Sequence, residues 1–84
     1  LVVFPGGFGT MDELFEILTL VQTRKMPAVP IVCFDRRYWT NIVNFEAMAA
    51  EGKIAPSDVD LIDYAEDAEQ AWEILLRRGL KTAP

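Results

Sequence analysis

Three glycines, Gly6, Gly7 and Gly9, fall within four positions, directly between an apolar run and a segment of helical periodicity. That placement restricts the fold more than any other feature of the chain. Leu1-Val2-Val3-Phe4 is continuous, Val-rich and uncharged, the pattern of a strand buried on both faces, as strands of a parallel sheet are. A strand that enters a helix through glycines belongs to an α/β protein, with the turn at the C-terminal edge of the sheet, where open sheets of this kind place their ligands.

The remaining elements continue the same alternation. From Met11 to about Arg24, Leu14, Leu18 and Val21, flanked by Phe15 and Ile17, recur at helical spacing, and Arg24 and Lys25 suit the helix C-terminus. Pro27 and Pro30 stop the helix, and Ile31-Val32-Cys33-Phe34 reads as a second buried strand. Asp35 to Tyr38 reads as a polar loop with an aromatic anchor. Ile42, Phe45, Met48 and Ala49 then mark one amphipathic helix ending at Gly52.

Pro56, Ser57 and Asp58 form a turn or a single helical turn. Leu61 to Tyr64 is a weaker third strand near an edge, with Asp63 in it. Asp67 and Gln70 resemble a capping box for a last helix through Ala68, Ala71, Trp72, Leu75 and Leu76, ending at Gly79, with a frayed tail from Lys81. Trp72 is expected in core or interface packing. The reading is an α/β fold, a Rossmann-like parallel sheet with flanking helices. Residues 1–84 form the C-terminal βαβαβα part of a larger single domain, because three strands apolar on both faces call for more sheet beside them.

Composition narrows the function classes. Eight basic residues against 13 acidic ones give a net charge of −5 without a basic face, so nucleic acid is not an expected partner. No apolar stretch is long enough to span a bilayer, nothing at the start resembles a secretory signal, and the single Cys33 reads as an inert core thiol, all of which suggests a cytoplasmic protein without a membrane partner. A small phosphate needs no lysine, because free backbone N–H groups at a helix N-terminus hold it.

Pro5-Gly6-Gly7-Phe8-Gly9-Thr10 is suited to that task, since glycine reaches positive φ and lets a ligand approach the backbone. The turn is neither Gly-x-Gly-x-x-Gly nor a P-loop ending in Gly-Lys-Ser/Thr. Glu13 has two readings. Thr10-x-x-Glu13 matches a capping box, in which Glu13 only stabilises the helix start; alternatively its carboxylate faces a ligand's ribose and supports positive charge on the sugar.

Pro5-Gly6-Gly7-Phe8-Gly9-Thr10-Met11-Asp12-Glu13 resembles the PGGxGTxxE motif of the LOG family, cytokinin riboside 5'-monophosphate phosphoribohydrolases once labelled lysine decarboxylases. The segment Glu16 to Gln22 and the strand Pro30-Ile31-Val32 are similar to the stretches downstream of the motif in that family. The resemblance implies hydrolysis of the N-glycosidic bond of a nucleoside 5'-monophosphate, AMP or a cytokinin ribotide, to free base and ribose 5-phosphate. It implies Gly6, Gly7, Gly9 and Thr10 at the 5'-phosphate, Glu13 as the catalytic acidic residue, and Asp12 as a substrate contact or a dipole-complementing residue. It implies no metal or organic cofactor, and a homodimer.

Two departures stand out. Phe8 replaces a Tyr common in the family, and the family's catalytic arginine, upstream of the motif, has no counterpart here, so this stretch alone is expected to be inactive. A non-catalytic carrier of nucleotides or nucleotide-like cofactors on the same fold is the alternative.

Overall fold

A computed structural model describes residues 1–79, so the expected frayed tail from Lys81 lies outside the described residues. The element order is β1 (Val2–Val3), α1 (Phe8–Gln22), β2 (Val32–Phe34), α2 (Arg36–Ile42), α3 (Phe45–Ala50), a 3-10 helix (Pro56–Leu61), β3 (Asp63–Ala65) and α4 (Ala68–Arg77). The three strands form one parallel sheet in the order β1-β2-β3, with Val3 opposite Cys33 and Cys33 opposite Tyr64. The α/β class and the parallel sheet are therefore as the sequence indicates.

Strand alternation sorts the core into two layers. Val3, Ile31 and Cys33 pack with Leu14 of α1, Trp39 of α2 and Ile62 on one face of the sheet. Val32 and Ala65 pack with Ala71 and Ile74 of α4 on the other. β2, central and covered on both faces, is buried from Ile31 to Cys33 and half-buried at Phe34, and burial pushes the Cys33 thiol up to about 12, as expected of an inert core thiol.

Five sequence expectations change here, the first being the third strand, which runs Asp63–Ala65 instead of Leu61 to Tyr64 because Leu61 ends the 3-10 helix. β1 is not buried on both faces: Val2 is 41% and Phe4 61% exposed, because β1 is a sheet edge and α4 packs against β2 and β3. Phe4 instead stacks on Phe34, ring centroids 4.7 Å apart. The single helix expected from Ile42 to Gly52 is two, broken where Val43 turns extended and the Asn44 side chain accepts from the Ala47 N–H at 2.9 Å. The expected polar loop Asp35 to Tyr38 is the start of α2, capped by Asp35, whose carboxylate accepts from the Tyr38 N–H. In α4 the buried residues are Ala71 and Ile74, whereas Trp72 and Leu76 face solvent, so Trp72 is not core.

The helix stops behave as read at Gly52 and Gly79, both at positive φ. α1 ends the same way without a glycine. The Arg24 N–H donates to the Val21 carbonyl at 3.1 Å and the Lys25 N–H to Leu20 at 2.9 Å, a Schellman closure that holds Arg24 at φ 61°. A left-handed non-glycine residue costs about 1–2 kcal/mol, partly offset by the greater unfolded-state freedom glycine brings. Arg24→Gly is therefore expected to stabilise the chain by about 0.5–1 kcal/mol, raising the thermal midpoint by about 2–8 °C; an unchanged or lower midpoint in a calorimetric scan would contradict this.

Candidate active site at the glycine turn

Parallel strands bring three chain exits to one edge: the glycine turn after β1, Asp35 after β2 and Glu66 after β3. They are tied together there. The Asp35 N–H donates to the Ala65 carbonyl at 3.1 Å, and the Arg36 N–H to the Glu66 carboxylate at 3.2 Å. This is the edge at which an open α/β sheet presents its loops to a ligand.

Helix α1 begins earlier than its apolar periodicity indicates. Gly7 is the N-cap at φ −101°, with no side chain capping the helix, and Thr10 is its third residue. The Thr10-Glu13 capping box is thus absent: Thr10 lies inside the helix instead of at its cap, and Glu13 has no hydrogen bond back to the Thr10 N–H. The first intrahelical bond runs from the Met11 N–H to the Gly7 carbonyl at 3.0 Å. Among the described residues no acceptor meets the N–H groups of Gly7, Phe8, Gly9 or Thr10, which leaves a cluster of free donors at the positive end of a 15-residue helix.

The glycines of this turn do not serve positive φ, since only Gly52 and Gly79 adopt it. They serve space, in two ways. A Cβ on Gly6 would collide with Thr10, 2.9 Å from its Cβ and nearer still to its hydroxyl, so the protein's own packing requires glycine there. A Cβ on Gly7 or Gly9 would meet nothing, so no protein atom demands their bareness; it keeps the approach to the amides open. Gly6→Ala is expected to cost about 1–3 kcal/mol through overpacking, whereas Gly9→Ala leaves stability unchanged or higher. Equal denaturation midpoints for the two variants would refute the distinction.

Beside the donors lies a cavity of about 230 Å³ lined by Thr10, Glu13, Leu14, Pro5 and the β1 residues Val2 to Phe4. Glu13 is the one ionisable side chain among them, and it is exposed. Asp12 is exposed too, lies beyond the first turn of α1 and is not among the cavity residues; Gly6 is half-buried, and Gly7 and Gly9 are exposed at the mouth of the helix. Phe8 is 96% exposed.

One contact escapes any local pattern. Tyr38, at the start of α2, donates its hydroxyl to the Gly6 carbonyl at 2.5 Å. A residue 32 positions from the turn therefore holds it, and no periodicity or motif in the chain announces this.

A larger groove of about 840 Å³ runs beside β3, and part of its charge is self-paired: Asp63 meets Arg78 at 2.6 Å and Arg77 at 3.6 Å, while Arg36 lies over the Tyr64 ring. Size alone does not make it the reactive site: neither Glu13 nor any residue of the glycine turn is among its lining residues.

Fold and site together define a parallel α/β protein with a glycine turn whose amides are free and a carboxylate one helical turn beyond it. The family described as possible lysine decarboxylase matches residues 1–75. The chain belongs to that family, the LOG family whose motif the glycine turn resembles. No curated protein matches the chain.

The residues do not support the activity in the family's description. Pyridoxal chemistry requires a lysine held in an enclosed site, whereas Lys25 and Lys53, the lysines among the described residues, are exposed and line no part of the Glu13 cavity. Among the described residues, no helix is long and apolar enough to cross a membrane.

Proposed function

We propose that the chain forms the phosphate and ribose side of a nucleoside 5'-monophosphate phosphoribohydrolase. Water adds to the ribose C1' as the bond from C1' to the base nitrogen breaks. The oxygen stays on ribose 5-phosphate, and a proton leaves with the free base. In this reading the amides of Gly7, Phe8, Gly9 and Thr10 hold the 5'-phosphate, and the Glu13 carboxylate stabilises positive charge that builds on the sugar ring.

The observation that carries the proposal is the placement of Glu13 on one cavity with Thr10, the last of the residues with free amides; Gly7, Phe8 and Gly9 lie next to it in the chain and outside its walls. At about 230 Å³ the cavity is below the roughly 300–1,000 Å³ of sites that enclose whole small molecules. It suits part of a nucleotide, with the base reaching beyond. Incubating the intact protein with a panel of nucleoside 5'-monophosphates, adenylate and N6-prenylated adenylates included, is expected to release free base detectable by chromatography. No release from any member would end the proposal.

One observation favours a second reading, a non-catalytic nucleotide or cofactor carrier: the cavity offers no second ionisable group to pass a proton to the departing base. The same panel separates the two, since a carrier binds without release. The homodimer is part of the proposal, and the intact protein is expected to sediment as a dimer at micromolar concentration; a stable monomer would count against it.

A further inference from the structure

We infer that Tyr38 is a positioning residue for the phosphate end of this site. The inference rests on the phosphate reading under the proposed function and adds the device that orients the turn. The Tyr38 hydroxyl donates to the Gly6 carbonyl, and that carbonyl shares a peptide group with the Gly7 N–H. The described peptide bonds are all trans, and in a planar trans peptide the C=O and N–H point in opposite directions. Drawing the Gly6 oxygen onto Tyr38 therefore turns the Gly7 N–H away from Tyr38, to the opposite edge of the same peptide plane.

The anchor is itself held at several points. Asp35, at φ 70°, caps α2 by accepting from the Tyr38 N–H at 3.3 Å. The Tyr38 ring meets the fully buried Trp39 edge-on, centroids 5.4 Å apart, and packs against the core cluster of Val3 and Leu14. Thr10 fills the space where a Gly6 Cβ would stand, so the Gly6 carbonyl is held by Tyr38 while its α-carbon packs beside α1. A glycine pair without such fixing would sample many orientations, and each would have to be surrendered on binding a ligand.

Tyr38→Phe removes the hydroxyl and keeps the ring. In the intact protein this variant is expected to raise the dissociation constant for inorganic phosphate about tenfold in calorimetric titration. The KM for AMP should rise by a similar factor, with kcat within about twofold. A merely structural role would lower kcat and the thermal midpoint together and leave no such split.

In the wild type, the Gly7 amide resonance should shift on adding inorganic phosphate more than those of Gly52 and Gly79, a readout that stands even if the variant fails to fold. Wild-type protein that binds neither inorganic phosphate nor AMP removes the phosphoribohydrolase reading and this inference together. Wild-type binding with an unaffected Tyr38→Phe variant removes the inference alone, whereas a Gly7 resonance no more responsive than the two distant glycines removes the inference together with the placement of phosphate on the turn.

Discussion

Glu13→Gln in the intact protein is expected to slow base release from a nucleoside 5'-monophosphate by about 10²–10³-fold, while nucleotide affinity stays within a few-fold. The substitution keeps size and shape, removes the negative charge and exchanges one acceptor oxygen for an NH2 donor. Positive charge on the ribose exists in the transition state and not in the bound substrate, so the loss should fall on kcat and spare KM. Glu13 is exposed on the open chain, where water and salt weaken its field, and the full effect requires a bound nucleotide to displace that water. Glu16→Gln, one turn further along α1 and outside the cavity, is the control. A Glu13→Gln enzyme of wild-type rate, or one that loses binding and rate in equal measure, would remove Glu13 from the chemistry.

Trp39→Ala is expected to be the most damaging substitution for stability, costing about 3–5 kcal/mol out of the roughly 4–12 kcal/mol that a domain of this length commands. Trp39 is the largest fully buried side chain and packs in the cluster joining the sheet to α1. Among the described residues its indole N–H has no hydrogen-bond partner, and an unpaired buried donor carries a penalty of about 1–3 kcal/mol. Trp39→Phe, which deletes that donor and keeps an aromatic ring, should therefore cost less than half as much in chemical denaturation. Equal losses for the two variants would show that the N–H is not a liability in the wild type.

The fold was legible wherever a local signal coincided with a long-range requirement. The run from Ile31 to Phe34 is apolar at every position because β2 is central and covered on both faces, and Gly52 and Gly79 stop helices because both must take positive φ. The start of α1 was not legible from periodicity, since Phe8, Gly9 and Thr10 offer no buried apolar side chain to extend it. The break before α3 did carry a signal, Asn44 three residues before Ala47, but the apolar spacing from Ile42 to Ala49 masks it. Trp72 and Leu76 show the limit of composition, because small Ala71 and Ile74 occupy the face of α4 that the sheet can accept.

At the site, residue types and spacing identify Glu13 and the glycines as candidates, and the motif names their family. Spacing alone left the capping box open, and only the three-dimensional helix start closes it. Tyr38 lies in a stretch that reads as loop, and its bond to Gly6 depends on how β1 and β2 are paired.

In the described chain β1 is a two-residue strand paired on one side, and the glycine turn is its direct continuation. Fraying of that strand and slackening of the turn are then one event. Thermodynamic reciprocity requires that an anion gripping the turn protect the strand's amides from solvent exchange, and that any mutation loosening the strand weaken the anion's hold by the same factor.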